Sequence, residues 1–250
     1  MEELRQQRLQ AARRQDRRNS RLASHRPTFV FFHLGKTGGG SVRQLLGPIR
    51  SQWVSVGHRG TLDEIQQQWP DLPMVFFVRD PLTRFVSGFN NFRRAVVHKS
   101  TGKLPSDHQL VAYSLFATAN DLAEGLVSHD EHTRSSAHWA IGRLGFLSNH
   151  LTANLGSPAI VDQHRPQIAL IGLFERFDIS IEAMRVALHL PASLQLPAEP
   201  SLAHRGLSHL PNQLSPMGRA AVTQWYRADI ALYEHCRHIH LVQTQELLGA

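Results

Sequence analysis

A glycine-rich segment that contains a single lysine is the strongest candidate for chemistry in this chain. It reads His33-Leu-Gly-Lys-Thr-Gly-Gly-Gly-Ser41 and stands between an apolar run at residues 28–33 and a stretch with helical spacing at residues 42–46. Glycines allow successive backbone N–H groups to point into one concavity, and the first turn of a helix adds the positive end of its dipole. Such a segment is typical of a loop that binds phosphate. The candidate contacts are Gly35, Lys36, Thr37, Gly38, Gly39, Gly40 and Ser41.

The same segment does not have the spacing of a Walker A loop, the ATP-binding loop of many nucleoside triphosphatases. That loop requires a glycine five residues before its Gly-Lys-Thr, and the residue at this position is Val30, inside the predicted strand. Here the other glycines follow Lys36 instead of preceding it. An ATP-dependent phosphotransferase stays open as an alternative, and so does a flexible glycine turn without a ligand.

A second candidate anion site begins at Arg79, immediately after the apolar run at residues 73–78. In open α/β sheets, ligands bind beyond the carboxyl ends of the strands, and the planar guanidinium of arginine suits bidentate contact with phosphate. The Asp-Pro pair that follows is typical of the start of a helix, and Ser87 lies on the polar side of that helix. Arg84, on the same side, either reaches the ligand or supports the loop. The alternative is a capped structural helix with exposed arginines.

These two segments together resemble those of the carbohydrate sulfotransferases, which include the heparan sulfate 2-O- and 6-O-enzymes and their bacterial relatives. The first is similar to the family's His-Ile-Pro-Lys-Thr-Gly-Gly-Thr-Ser loop, and the second to its Arg-Asp-Pro-x-x-Arg-Phe/Tyr-x-Ser segment. The resemblance implies that the loop binds the 5′-phosphosulfate end of 3′-phosphoadenosine-5′-phosphosulfate (PAPS), and that Arg79 and Ser87 bind its 3′-phosphate. Gly35 replaces the family's proline. Gly40 replaces a threonine and so contributes only its backbone N–H.

The resemblance also implies the chemistry and one further contact. Residues 201–208 stand where the family has a loop that closes over the nucleotide, which makes Arg205 a candidate for binding PAPS. Sulfuryl transfer passes a trigonal SO₃ group between two oxygens, and the protein mainly positions the partners and stabilises charge. Lys36 would neutralise charge on the bridging oxygen, and no metal is required. The resemblance favours a carbohydrate hydroxyl as acceptor, while the acceptor's identity and the oligomeric state stay open.

The acceptor hydroxyl must lose a proton, and histidine is the usual base near neutral pH. We predict that His58 is this base, because it follows the strand candidate at residues 53–56 and should reach the same sheet edge as the loop. The family's relatives place a catalytic histidine at a comparable distance beyond the loop. His33 is the second candidate, and a surface histidine in a glycine-bounded turn is the alternative for His58. Three histidines near Cys236 fit no zinc-binding spacing, so they are interpreted as a polar C-terminal segment without a metal.

Strands that alternate with helices must position these residues, which predicts an α/β fold with three layers and a mostly parallel central sheet. Apolar residues from Leu82 to Phe89 have the spacing of a helix that packs on the sheet, and a capping box at Thr61 and Glu64 predicts another helix. The predicted strands are residues 28–33, 53–56, 73–78 and 169–174. Further helices are predicted within residues 100–155, at 179–190, and as one long helix from Ser215.

The composition predicts one domain, residues 27–250, after a basic arm at residues 1–26. Of the 250 residues 42% are hydrophobic, which is enough for one core. The arm holds eight arginines against three acidic residues and accounts for most of the formal charge of +7. We predict a helical or disordered arm and no nucleic-acid partner; a module that binds anionic polymers through the arm is the non-enzymatic alternative. A single cysteine, no apolar membrane span and no secretory signal predict a cytoplasmic protein.

Overall fold

Four short strands form an all-parallel sheet at the centre of the computed structural model, which describes residues 27–98, 105–196 and 213–249. The order across the sheet is β2-β1-β3-β4. Each strand begins and ends within one residue of its predicted bounds, which confirms the α/β class and the parallel sheet. The strands are β1 (Phe29–Phe32), β2 (Trp53–Val56), β3 (Met74–Val78) and β4 (Ile168–Leu173).

Helices occupy most of the remaining described residues. None of them is both long enough and apolar enough to cross a membrane. The helices are α1 (Gly39–Leu45), α2 (Leu62–Gln68), α3 (Pro81–His98), α4 (Asp107–Leu115), α5 (Ala119–Gly125), α6 (Glu131–Arg143), α7 (Gly145–Ser148), α8 (Leu151–Leu155), α9 (Pro158–Gln163), α10 (Phe177–Ala187), α11 (Pro216–Trp225) and α12 (Arg227–Leu248). Short 3₁₀ segments lie at Gly47–Gln52, Arg165–Gln167 and Phe174–Arg176.

Side chains of β1 alternate between the two faces of the sheet, because successive residues of a strand point to opposite sides. Phe29 and Phe31 pack with residues of α1 and α10 on one face. Val30 and Phe32 pack with residues of α2, α8, α9 and α12 on the other. All four are buried, so a layer of helices covers each face of the sheet.

A further apolar core is formed by helices alone. Phe85, Val86 and Phe89 of α3 are buried against residues of α4 to α7 and of α11. The prediction that they pack on the sheet was therefore wrong. Apolar spacing shows which side of a helix is buried, but it does not show which element covers that side.

The C-terminal helix α12 covers the edge of the sheet at β4. Gln243 accepts a hydrogen bond from the Ile171 backbone N–H (2.9 Å), and the Nδ1 atom of His240 lies 2.8 Å from the Ile171 carbonyl oxygen. These two side chains satisfy backbone groups that would otherwise be open to pairing with another strand. The interpretation of this region as a polar segment fits the exposed His238 and the half-buried His235, but not His240 and Cys236, which are buried.

The predicted last helix is interrupted at Tyr226, which separates α11 from α12. The Tyr226 ring is buried, and its hydroxyl donates a hydrogen bond to the Leu147 carbonyl (2.6 Å). This contact with α7 connects the break between the two helices to the helical core.

Replacing Gln243 by methionine removes the acceptor for the Ile171 N–H while keeping side-chain length. We expect the free energy of unfolding to fall by about 1–3 kcal/mol, the cost of leaving a buried polar group without a partner. Urea denaturation measures this change. The matched control is Gln245→Met, because Gln245 lies two residues further along α12 and is exposed. Equal stability of the two variants would show that Gln243 does not protect the edge.

The strand order creates a switch point between β1 and β3. The chain leaves β1 towards β2 on one side, whereas β3 is followed by β4 on the other side. In open α/β sheets, the loops that leave the carboxyl ends of two such strands diverge and form a crevice. The loop that starts at His33 follows β1, and Arg79 follows β3, so both predicted anion sites begin at this crevice.

Candidate functional site

The loop between β1 and α1 presents backbone donors at the switch point. Lys36 (φ +66°) and Gly38 (φ +87°) both have left-handed backbone conformations. Within the described residues, the N–H groups of Gly38, Gly39 and Gly40 have no hydrogen-bond acceptor, as expected where a helix begins without a side-chain cap. A left-handed conformation costs a lysine roughly 1–2 kcal/mol, and such strain persists where the surroundings hold it. Three adjacent N–H donors beside Lys36 are therefore available to an anion.

Two of the glycines are required for steric reasons. A Cβ atom at Gly39 would lie 1.9 Å from Cδ2 of His33, so the imidazole ring of His33 rests directly on the start of α1. At Gly38 the positive φ favours glycine, and a Cβ atom there would lie 3.0 Å from Cδ2 of Phe174. The loop is thus packed between His33 on one side and Phe174 on the other.

The lysine of the loop is held by two side chains from distant segments. Its Nζ atom donates a hydrogen bond to Oδ1 of Asn91 (2.9 Å) and lies 5.6 Å from the centre of the Phe146 ring. Thr37 is buried, and its hydroxyl donates to the Leu34 carbonyl (3.0 Å). The Thr37 hydroxyl therefore stabilises the turn of the loop, and contact of Thr37 with a ligand stays a prediction.

Arg84 holds the loop through hydrogen bonds to backbone carbonyl groups. Its side chain is buried, its Nε atom donates to the Gly35 carbonyl (2.9 Å), and one terminal nitrogen donates to the Asn149 carbonyl (2.7 Å). Arg84 was expected either to reach the ligand or to support the loop, and these contacts match the second role. The same guanidinium connects the loop to the segment between α7 and α8.

Arg79 lies at the start of the turn from β3 to α3. Its Nε atom donates to the Thr83 hydroxyl (3.1 Å), and its guanidinium lies 4.1 Å from the centre of the Phe174 ring. Asp80 caps α3 as predicted, because its Oδ1 accepts the Thr83 N–H (2.8 Å). The Phe174 ring, which contacts Arg79, also lies beside Gly38, so the arginine and the loop are close to one another.

Glu175 holds this turn from the end of β4. One of its carboxylate oxygens accepts the Asp80 backbone N–H (3.0 Å), and the other accepts the Tyr233 hydroxyl (3.2 Å). Burial lowers the pKa of the Arg79 guanidinium, whereas the nearby charge of Glu175 raises it. Glu175 therefore anchors the turn and also offsets part of the positive charge at Arg79.

His33 and His58, the two candidate bases, are in contact. Their ring centres are 4.5 Å apart, and Nδ1 of His58 lies 2.9 Å from the His33 carbonyl oxygen. A carbonyl oxygen can only accept, so Nδ1 of His58 carries the proton and Nε2 of the neutral ring keeps its lone pair. Phe146 packs against the His58 ring (5.6 Å between centres) and also lies 5.6 Å from Nζ of Lys36, so it contacts both candidate catalytic residues.

The electrostatic surroundings of both histidines are cationic. Burial and the nearby His58, Arg43 and Lys36 lower the pKa of His33 to about 3. Burial also lowers the pKa of His58, with further lowering from Arg43, Arg84 and Lys36 and a partial offset from the His33 carbonyl. In the described part of the chain, no carboxylate contributes to either shift. This edge of the sheet therefore favours an anion.

The remaining predicted residues divide into three groups. Gly40 is half-buried in the first turn of α1, and Ser41, the next residue, is buried. Ser87 is half-buried on α3, two helical turns after Arg79. Arg205 and the basic arm lie outside the described residues. At the C-terminus, His235 pairs with Asp162 (2.8 Å), and the part of the chain that is described contains no cluster of three or more His, Cys, Asp or Glu side chains suited to a metal ion.

Sequence reasoning missed the residues that reach the site from distant parts of the chain. Arg43 stands only two residues beyond the predicted loop, and the segment around Phe174 and Glu175 resembles a strand end of the family, so both carried a weak signal. Asn91 lies on the same predicted polar side of α3 as Arg84 and Ser87, which is also a weak signal. Nothing in the local sequence of Phe146, Asn149 or Asn154 shows that they meet the loop. The missed residues are Arg43, Asn91, Phe146, Asn149, Asn154, Phe174 and Glu175.

No protein-family model, curated protein or solved structure matches this chain. The function must therefore be argued from the residues and their arrangement at the crevice.

Proposed function

We propose that this chain transfers a sulfuryl group from PAPS to an acceptor hydroxyl, that of a carbohydrate. One observation carries the proposal: the Phe174 ring contacts Arg79 and also lies beside Gly38, in a loop with three unpaired N–H donors and a lysine. Two anion-binding groups thus lie at one crevice. PAPS has two anionic ends, the 5′-phosphosulfate and the 3′-phosphate, which these two groups would bind.

The loop and Arg79 would each bind one anionic end of the nucleotide. The N–H groups of Gly38 to Gly40 suit the phosphosulfate because they are already oriented and have no acceptor within the described residues, and Lys36 adds a full positive charge beside them. Arg79 and the half-buried hydroxyl of Ser87 suit the 3′-phosphate. An ATP site would need no second phosphate-binding group of this kind, and the Walker A spacing is absent.

In the proposed reaction, the acceptor oxygen forms a bond to sulfur while the bond from sulfur to the bridging phosphate oxygen breaks. The electron pair of the broken bond stays on the bridging oxygen, and Lys36 stabilises this developing charge. Nε2 of His58 accepts the proton of the hydroxyl, because Nδ1 already donates to the His33 carbonyl. The products are a sulfated acceptor and adenosine 3′,5′-bisphosphate, and the positive charge of Lys36 serves without a metal ion.

Calorimetric titration with adenosine 3′,5′-bisphosphate, ADP, AMP and ATP tests the nucleotide. We expect the bisphosphate to bind most tightly, since only it has a phosphate for each of the two groups. Arg79→Ala should weaken bisphosphate binding by about 10- to 100-fold, the value of a charge-assisted contact, and should weaken AMP binding much less. Arg176→Ala is the matched control, because Arg176 is exposed three residues after β4. ATP binding as tight as or tighter than that of the bisphosphate would overturn the proposal in favour of a phosphotransferase.

A further inference from the structure

The turn that carries His58 is held by side-chain amides from a remote segment. Nδ2 of Asn154 donates to the His58 carbonyl (2.9 Å) and to the Gly60 carbonyl (2.8 Å). Nδ2 of Asn149 donates to the same His58 carbonyl (3.1 Å). Two asparagines that are more than 90 residues away in sequence therefore hold the chain at His58 and two residues after it.

The buried amide of Asn154 lowers the stability of the fold through its oxygen atom. Asn154 is only 3% exposed, and its Oδ1 atom is buried without a hydrogen-bond partner. A buried polar atom without a partner costs about 1–3 kcal/mol, so an apolar residue of the same shape would avoid this penalty. The two hydrogen bonds from Nδ2 are the contribution that an apolar residue could not make.

The helix that bears Asn154 is itself fixed. Asp229, at the start of α12, is fully buried and accepts hydrogen bonds from Leu151 N (2.9 Å), Thr152 N (3.1 Å) and the Thr152 hydroxyl (3.0 Å). Burial raises the pKa of Asp229, whereas the His150 side chain and the N–H groups of Leu151 and Thr152 lower it, with a net lowering. The bonds from Leu151 and Thr152 tie the first turn of α8 to α12. Asn154 therefore projects from a rigid element, as a residue that positions another must.

We infer that Asn154 is a positioning residue that holds the turn of His58, so that Nδ1 donates to the His33 carbonyl and Nε2 remains the proton acceptor. The role of His58 as base rests on the proposed function, whereas the positioning itself does not. Asn149 supports the same carbonyl more weakly, and Arg84 binds the Asn149 carbonyl, so one network holds the loop and the base.

A matched pair of neutral substitutions tests this inference. Asn154→Leu removes both hydrogen bonds without changing charge. Gln167→Met is the control, because Nε2 of Gln167 also donates to two backbone carbonyls, those of Trp69 (2.6 Å) and Leu72 (3.0 Å), and its Oε1 is likewise buried without a partner. Gln167 precedes β4, at the opposite end of the strands from His58. Both variants should lose stability, but only one should disturb His58.

The readout is the ¹⁵N NMR spectrum of the His58 imidazole, assigned by its loss in His58→Asn. In the wild type we expect Nδ1 to carry the proton. In Asn154→Leu the Nε2-protonated form should increase and the pKa of His58 should move towards its ordinary value, because the ring is no longer held in its buried position. PAPS cleavage should fall by about 10- to 100-fold, the effect of misplacing a reacting group by roughly 1 Å. Gln167→Met should change none of these.

The outcomes separate the two proposals. A His58 tautomer and pKa that are the same in Asn154→Leu as in the wild type would overturn the positioning role and leave only a structural one. Should Asn154→Leu fail to fold, Asn149→Ala removes one donor from the same carbonyl and must shift the tautomer in the same direction. If the wild type does not bind adenosine 3′,5′-bisphosphate, the sulfotransferase proposal fails while the NMR result still decides the role of Asn154.

Discussion

Replacing Lys36 by methionine is expected to slow sulfuryl transfer by about 10²–10³-fold, the usual effect of removing one group that stabilises transition-state charge. The effect is large because the bridging oxygen gains charge only as the bond to sulfur breaks, and Lys36 is the cation of the loop itself. Binding of adenosine 3′,5′-bisphosphate should weaken far less, since the N–H groups of Gly38 to Gly40 remain. Methionine is similar to lysine in length but has no ammonium group, so the substitution removes the charge that lies over Phe146.

Single-turnover transfer of ³⁵S from PAPS to an unsulfated heparan-type oligosaccharide measures this step, and calorimetry measures the binding. Arg143→Met is the control, because Arg143 is an exposed cation three residues before Phe146. A rate close to that of the wild type would remove Lys36 from the mechanism. Equal losses in rate and in bisphosphate binding would make it a binding residue only.

Replacing His58 by asparagine is expected to reduce turnover by about 10²-fold or more, the contribution of a positioned general base, and to leave bisphosphate binding unchanged. The pH dependence gives a second test. Burial, Arg43, Arg84 and Lys36 lower the pKa of His58, so in the free protein the imidazole stays neutral to a pH below its ordinary 6.5. A base acts in its neutral form, and kcat/KM for PAPS should therefore fall only as the pH drops below about 6.5.

Bound nucleotide should shift this titration in the opposite direction. The anionic charges of adenosine 3′,5′-bisphosphate offset the cations around His58, so its pKa should rise when the ligand binds. NMR titration of the imidazole with and without the bisphosphate measures the two values. A pKa that does not move, or an acidic limb of the rate profile that persists in His58→Asn, would assign the base to another group. His33 is a poor replacement, because its pKa is lowered to about 3.

Structural features could be predicted from the sequence where they depend only on residues within one short segment. The strands β1 and β3 were predicted because each is a run of apolar residues buried on both faces, and such a run has few other places in a fold. The cap at Thr61, with its partner Glu64, was predicted for the same reason and is confirmed. By contrast, the partner of the apolar side of α3 was predicted wrongly, because spacing carries no information about the neighbouring element.

The sequence by itself determined the α/β class, the strand positions and the segments around Lys36 and Arg79, because these depend on contacts between residues that are neighbours along the chain. Only the tertiary structure decided how those segments are held. Asn91 meets Lys36 across 55 residues, Arg84 meets Gly35 across 49, and Asn154 meets His58 across 96. Such pairs form because the strand order and the packing of the helices bring distant segments together. The local pattern of residue types does not predict which distant side chain makes the contact.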